Sequence, residues 1–372
     1  MQRIRKAGWV ALLALTVLAG PAMAQAVDQG SWINLFDGET LFGWTVFGDA
    51  PWAVEGGSMV CNGGSGGWIA TTSQFGDFEL TAKIQVSPEA STGIEFRAGL
   101  EGHPSENGSG VITIVQPKEG GPEWHDVSVI AKGGDIKATL DGQPVPDVKV
   151  GRSIGYIGIQ YHHNHAAKVA VKEVKLRPLA LTSLFNGKDL NGWNIIPEHK
   201  SQFSVVDGTL NIQNGNGQIE TAGTFKDFAL QLDIQAKGTA EKPLNSGVFY
   251  RSPVGVFWKG YESQIRNEFT DGDRTKPKDF GTGGNYGNQD ARKVVPTEGE
   301  WFTKTIVVDG DHAAVWINGY QVSDFTDTRP VSPDANGKAG YVPGPGTINL
   351  QGHDPTTNMF FKNINIQPYN AK

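Results

Sequence analysis

Glu262 and Gln264 stand two residues apart in Tyr261-Glu262-Ser263-Gln264-Ile265. In a strand, that spacing puts a carboxyl and an amide on one sheet face, with Tyr261, Ser263 and Ile265 on the other. A carboxylate and an amide beside aromatic rings suit a sugar groove, where rings stack on apolar sugar faces and polar groups bond hydroxyls. Trp258, Tyr261, Asn267 and Tyr286 join Gln264 as binding candidates, and Glu262 is the candidate acid or base. The alternative reading of this stretch is a solvated, charge-decorated loop. His353, in Gln351-Gly352-His353-Asp354-Pro355, falls at a strand end, where a histidine serves either as a catalytic acid/base or as a cap for the turn. Gln351 and Arg251 complete the binding candidates.

Other constellations are less specific. His162, His163 and His165 offer imidazoles to a metal, but no second ligand cluster is fixed nearby, and a solvated turn is the expected role. Asp271-Gly272-Asp273 is a fragment of a calcium loop without the remaining ligand spacing, so no metal or other cofactor is expected. There is no Gly-x-Ser-x-Gly elbow, no phosphate-binding glycine loop and no His-Glu-x-x-His.

The elements that must hold these residues emerge from an internal repeat. Leu35-Phe36-Asp37-Gly38 with Gly43-Trp44 returns as Leu184-Phe185-Asn186-Gly187 with Gly192-Trp193. Phe75-Gly76-Asp77-Phe78 returns as Phe225-Lys226-Asp227-Phe228, and Gly93 to Arg97 as Gly247 to Arg251. Glu123-Trp124, Asp141-Gly142, Gln160 and Pro178 return as Glu300-Trp301, Asn318-Gly319, Gln351 and Pro368. Phe78 to Val86 and Phe228 to Ala236 alternate apolar and polar residues, the period of a half-buried strand. Lys132-Gly133-Gly134-Asp135, Asp309-Gly310-Asp311-His312, Asp141-Gly142 and Asn318-Gly319 read as hairpin turns. An all-β chain follows, with two tandem antiparallel sandwiches over 31–178 and 182–370 and a short connection around Leu179 to Thr182. Between the repeated Arg and the repeated Glu-Trp, the first copy spends 26 positions and the second 49. Long insertions in compact domains are usually functional, and this one carries Glu262.

The chain has 372 residues and 19% charged side chains, and ten Trp with eighteen Phe supply core material. Arg3, Arg5 and Lys6, the apolar run Trp9 to Leu18 and Ala22-Met23-Ala24 read as a leader over 1–24 cleaved after Ala24. A periplasmic or secreted product is expected; the apolar run is too short to span a bilayer. Removing the leader takes the formal charge from −7 to −10, which disfavours nucleic acid and anionic membrane surfaces. Cys61 is alone, so no intrachain disulfide is available. Oligomeric state is not fixed by any of these features.

Leu184-Phe185-Asn186-Gly187-Lys188-Asp189-Leu190-Asn191-Gly192-Trp193 resembles the opening of the bacterial 3-keto-disaccharide hydrolase domains. Ser246 to Arg251, Gly260 to Ile265, Gly283-Gly284-Asn285-Tyr286, Glu300-Trp301, Trp316 to Gly319 and Ile348 to His353 are similar to the family in the same order. The first copy resembles it only in scaffold landmarks and lacks the Tyr-Glu-x-Gln segment. The resemblance implies a concanavalin A-like jelly-roll sandwich with a carbohydrate site on its concave sheet, and cleavage of oxidised disaccharides or glycosides by elimination and hydration. It implies Glu262 and His353 as the base/acid pair, Arg251 and Gln264 on the keto oxygen or hydroxyls, and Tyr286 as proton donor or stacking wall. The Glu-x-Asp-x-(x)-Glu strand of family 16 glycoside hydrolases is absent, so a retaining glucanase mechanism has no support. The alternatives are a non-catalytic carbohydrate-binding protein with two lectin-like sandwiches and a structural module of an exported assembly.

Overall fold

The structure is a computed structural model that describes residues 26–369 apart from 89, 102–106, 117–120 and 163–167. The leader with its cleavage site, and His163 and His165, lie outside the described residues. Twenty-six β-strands are present among those described, all paired antiparallel within their sheets. No helix among the described residues is long and apolar enough to cross a membrane.

The two halves repeat one arrangement. In the N-terminal half, a five-stranded sheet runs Trp44–Gly48, Gly67–Thr71, Tyr156–Tyr161, Ser91–Ala98, Gly110–Val115. In the C-terminal half, the corresponding order is Trp193–Ile195, Gly217–Thr221, Thr347–Gly352, Asn245–Ser252, Tyr261–Arg266. Each of these sheets packs its apolar face against the strands of a second sheet, and the outward face is the candidate ligand surface. The expected all-β fold, two antiparallel sandwiches, is what the chain adopts.

The turns behave as their residues dictate. Asp141 and Gly142 have φ of 52° and 74°, and Asn318 and Gly319 have 48° and 81°. Each pair closes a two-residue hairpin, with Leu140 opposite Gln143 and Ile317 opposite Tyr320. Positive φ at both central residues gives a turn whose twist matches the flanking strands. Lys132 faces Asp135 across Gly133-Gly134, and Asp309 faces His312 across Gly310-Asp311.

The halves are fused, not strung together. The segment Leu179 to Thr182, read above as a connection, continues the sixteen-residue strand Lys168–Ser183. That strand pairs with Phe78–Val86 in the first half and, at Thr182 and Ser183, with Asn358–Pro368 of the second. The second sheets of both halves therefore form one sixteen-stranded sheet. Burial follows suit. Phe78–Val86 alternates buried and half-buried residues, whereas every residue of His312–Ile317 is buried. Ala314 and Trp316 point outward from the second half and enter the first half's apolar cluster with Ile33 and Phe75. The Trp316 indole donates to the Asn34 carbonyl at 3.0 Å. Cys61 is buried and free, its thiol pushed up to about 11 by burial.

Candidate active site on the five-stranded sheet of the C-terminal half

Tyr261–Arg266 is an outer strand of the five-stranded sheet, with Phe249 opposite Glu262 and Gly247 opposite Gln264. Tyr261 and Ile265 enter the core, so Glu262 and Gln264 take the opposite, outward face. The carboxylate lies across Gly247, where a Cβ would collide with Glu262 Oε1 and come within 2.8 Å of its Cγ. Glycine is needed there for space. The insertion covers the strand's free edge: Tyr286 N donates to the Glu262 carbonyl and Gln264 N to the Gly284 carbonyl, both at 2.9 Å. Pairing an edge this way removes the unsatisfied backbone groups that a bare outer strand presents.

Glu262 is 4% exposed. Lys338 Nζ stands 3.8 Å from its Oε2. The same ammonium lies 3.8 Å over the Tyr286 ring and 4.8 Å over the Trp258 ring, a cation held between aromatic faces. Burial pushes the Glu262 carboxyl up to about 7; Lys338 and a Trp258 hydrogen bond pull it down, and the Asp279 charge adds to the rise. Burial holds the Lys338 ammonium below the usual lysine range, against the pull of Glu262 and Asp279. Burial raises the Tyr286 phenol, and Asp279 and Glu262 add to it.

A second chain of contacts runs from Gln264 to His353. Gln264 Nε2 donates to Asp279 Oδ2 at 3.0 Å, and Asn245 Nδ2 donates to the same oxygen at 3.1 Å. Asn245 Nδ2 also lies 3.4 Å from His353 Nε2, and His353 Nδ1 lies 3.1 Å from Asp354 Oδ2. An amide donor on Nε2 makes that nitrogen the acceptor and places the ring proton on Nδ1, toward Asp354. Asp279 and Phe280 both have positive φ, 49° and 67°. Such a conformation is costly for phenylalanine and persists where surrounding contacts enforce it; here Phe280 packs edge-on against Tyr286 with centroids 4.9 Å apart.

The floor is amide-rich. Ile348 and Leu350 face the core, so Thr347, Asn349 and Gln351 face the groove. Gln351 stands opposite Gln218, and Gln218 Nε2 and Gln351 Oε1 are buried without a hydrogen-bond partner. Buried polar atoms left unpaired are uncommon and call for an explanation; a polyhydroxylated ligand supplies one. Gln218 Oε1 accepts from Trp258 N at 2.9 Å, and Glu220 accepts from Gly255 N. These bonds fix the Trp258 loop over the sheet.

Three of the candidates read from sequence face elsewhere. The Tyr261 hydroxyl donates to Asp327 Oδ2 at 2.7 Å, and its ring stacks on Tyr250 inside the core. Strand alternation, which put Glu262 on the groove, puts Tyr261 behind it. Arg251 donates to the Lys226 and Val342 carbonyls and to Asp227. Arg97 donates likewise to the Gly76 carbonyl and to Asp77, and to the Gly133 and Arg152 carbonyls, so this arginine belongs to the scaffold of both halves. Asn267 is consumed by Glu298 and Thr282 within the insertion. Glu262, Gln264, Trp258, Tyr286, Gln351 and His353 lie on or beside the groove.

Lys338 and Asp279 are the additions. Asp279 sits in the long insertion. Lys338 comes from a second one: 33 positions separate Asn318 from Gln351, against 19 from Asp141 to Gln160, a count that would have flagged it. Lys304 is a third addition, behind the sheet. It is fully buried, and its ammonium donates to the carbonyls of Ser263 and Gln264 at 3.0 and 2.8 Å and to Ser263 Oγ at 3.1 Å. Burial pushes it down to about 7, with Glu262 pulling the other way. Asp271 and Asp273 face Lys276 at 3.7 and 3.8 Å, and among the described residues no three His, Cys, Asp or Glu side chains converge as metal ligands.

A family described as the 3-keto-alpha-glucoside-1,2-lyase-like domain matches residues 31–177 and again 180–367. A 3-keto-disaccharide hydrolase of Bacteroides thetaiotaomicron is 27% identical over 138 residues, 34% of this chain and 42% of the relative. The chain thus spans less than half the length of that curated relative. Among solved structures, a candidate glycosyl hydrolase from Parabacteroides distasonis has 26% identity and a TM-score of 0.40, covering 49% of this chain and 96% of that one. The carbohydrate-binding module CBM66 from Bacillus subtilis has 14% identity and a TM-score of 0.34, covering 49% and 99%.

Proposed function

Since the chain belongs to the family of 3-keto-alpha-glucoside-1,2-lyase-like domains, we propose that its C-terminal half cleaves the glycosidic bond of 3-keto-glycosides. One pairing carries this reading: the buried Glu262, its carboxyl near neutrality, stands 3.8 Å from the Lys338 ammonium. A base whose pKa lies near the working pH is suited to proton abstraction. A cation beside it is suited to the oxygen on which charge then develops.

The chemistry follows from the ketone at C3, which acidifies the C2 proton. Glu262 takes that proton, and the C–H electron pair enters a C2–C3 enolate whose oxygen lies against Lys338. As the ketone re-forms, the pair moves to C1–C2 and the C1–O bond breaks. The departing oxygen receives the Nδ1 proton of His353, which turns from Asp354 to the leaving group at the rim. Water then adds across C1–C2: its hydroxyl bonds C1, Glu262 returns the proton to C2, and the remaining water proton restores His353. The net change is hydrolysis. Gln264 and the floor amides of Gln218 and Gln351 bind hydroxyls, while Trp258 and Tyr286 wall the sugar. A sugar lacking the ketone has no acidic C2 proton and passes through unchanged.

The reading places the protein in the periplasm or outside the cell, on the strength of the leader ending at Ala24; the mass of the mature protein tests that step. For the reaction, purified protein is incubated with plain and 3-keto disaccharides and free reducing sugar is followed. Release from the oxidised sugars alone is expected. Tight binding of either sugar without release would instead identify a carbohydrate-binding protein, and equal release from both would exclude the enolate route.

A further inference from the structure

The long insertion meets the groove on one side and the N-terminal half on the other. Arg292, near its return, donates through Nη2 to Asp37 Oδ2 at 2.7 Å and through Nη1 to Thr40 Oγ1 at 3.0 Å. The guanidinium lies 4.4 Å over the Phe42 ring of the first half and 4.4 Å over the Tyr320 ring of the second. Its Nε donates to the Gln321 carbonyl at 2.8 Å. The Asp37 side chain is 7% exposed, so solvent and salt screen this pair far less than a surface ion pair.

A second anchor stands beside it. Thr72 Oγ1 donates to Asp324 Oδ2 at 2.9 Å. Asp324 N donates to Gln289 Oε1 at 2.8 Å, and Gln289 Nε2 returns a bond to the Asp324 carbonyl at 3.0 Å. Gln289 in turn exchanges backbone hydrogen bonds with Asn285, both at 2.9 Å.

From these anchors the path to the groove is short. Ala291, the neighbour of Arg292, donates its N–H to the Phe280 carbonyl at 2.8 Å. That bond holds the Asp279-Phe280 turn, whose positive φ lets Asp279 receive Gln264 and Asn245. Asn285 precedes Tyr286, whose ring lies under Lys338. Asn288 Nδ2 donates to the Gly337 carbonyl at 3.1 Å, and a Cβ at Gly287 would come within 3.0 Å of Lys338 Cγ. A strained turn keeps its shape only where its surroundings over-determine it, and here those surroundings end on the N-terminal half.

The repeat separates the charge of Asp37 from its turn chemistry. Asn186, its counterpart, closes the same turn with its amide oxygen on the Lys188 and Asp189 N–H groups. Asp37 Oδ1 does this for Glu39 and Thr40. An amide suffices for the turn; the negative charge faces Arg292.

We infer that the N-terminal half is a brace for the site of the C-terminal half. Asp37 and Thr72 are positioning residues that hold the insertion, and through it Asp279, Tyr286 and Lys338, in place around Glu262. The consequence for turnover rests on the proposed function; the brace itself rests on the contacts between the halves.

The test is hydrogen exchange read by mass spectrometry on the full chain, joined to kinetics. Asp37→Asn keeps the turn, as Asn186 does, and removes the charge. Exchange across residues 279–291 should quicken about 10-fold, with Phe78–Val86 and Phe228–Ala236 unchanged. Thr72→Val cuts the second anchor alone and should quicken the same segment. With a 3-keto sugar as substrate, Asp37→Asn should lower kcat/KM about 10-fold. By freeing Lys338 from Glu262 it should also move the acid limb of the pH profile upward, which a mere loss of folded protein does not do. In the Arg292→Met background, Asp37→Asn should change either measure by no more than about 2-fold. Exchange unchanged in both single variants overturns the brace, active chain or not. Faster exchange with kcat/KM and the limb unmoved overturns the positioning role. If the unaltered chain turns over no 3-keto sugar while the segment still loosens in Asp37→Asn, the proposed reaction falls and the brace stands.

Discussion

Glu262 Oε2 and Lys338 Nζ are 3.8 Å apart, yet they come from distant parts of the chain, one from the outer strand Tyr261–Arg266 and the other from the loop that precedes Thr347–Gly352. Their proximity has a kinetic signature. Lys338→Met removes the cation that lowers the Glu262 carboxyl, so that carboxyl rises above about 7. The acid limb of the pH profile of kcat/KM should shift to higher pH. Loss of the charge facing the enolate oxygen should cost about 10²–10³ in kcat. A limb that stays in place would separate Lys338 from Glu262.

Gly247→Ala tests the carboxylate's seat. The added methyl meets Glu262 Oε1, and Gly247 has no positive φ, so the backbone accepts alanine while the side chain must move. Turnover should fall at least 10-fold, in line with the sensitivity of proton transfer to geometry, with the circular dichroism spectrum unchanged. Gly93→Ala disturbs Gln160 in the same manner and should leave turnover unaltered.

The buried pair Glu262 and Lys304 shapes stability against pH. The Glu262 carboxyl is raised from 4.5 to about 7, so its contribution is complete below 4.5 and is lost as pH rises through about 7. Lys304 is depressed from 10.5 to about 7; the unfolded chain binds the extra proton in that window, and stability rises with pH across it. Urea midpoints from pH 4 to 10 should therefore lose their low-pH fall in Glu262→Gln and their high-pH rise in Lys304→Met. Identical curves for Lys304→Met and the unaltered protein would remove the buried ammonium from the account.

Arg251 and Arg97 should answer as scaffold. Each guanidinium is 2% exposed or less and bound to a carboxylate and backbone carbonyls. Replacing either by Met takes the cation from a partly exposed aspartate and leaves buried carbonyls unpaired, which should cost about 1–3 kcal/mol, seen as a drop in melting temperature. At temperatures where the chain stays folded, KM for a 3-keto sugar should not change. A raised KM in Arg251→Met alone would return that residue to the binding site.

Much of this arrangement was legible in the residues. Period-two alternation gave the strands, Asp141-Gly142 and Asn318-Gly319 gave the hairpins, and the longer second copy pointed to Glu262. The same alternation that puts Glu262 and Gln264 on the outward face turns Tyr261 to the core, so strand geometry outranks aromatic chemistry at that position. Arg251 had its own warning in Arg97. Lys338 was hidden because its partners lie far off in sequence, and Lys304 because a lysine in a strand reads as a solvent-facing residue. In the N-terminal half the same position is Val127, and only the folded chain reveals that the ammonium passes through the sandwich to two carbonyls.

The sixteen-residue strand Lys168–Ser183 belongs to both halves, with consequences for anyone who would divide them. A cut between residues 177 and 180, where the sequence repeat invites one, severs a single hydrogen-bonded ribbon and leaves raw edges on each piece. The C-terminal piece would also expose Ala314 and Trp316, which the first half now shelters. Separated fragments should cling to one another or aggregate, and the intact chain should melt in one transition. Whatever each outward face holds, it is carried on one frame and keeps a constant bearing relative to the other.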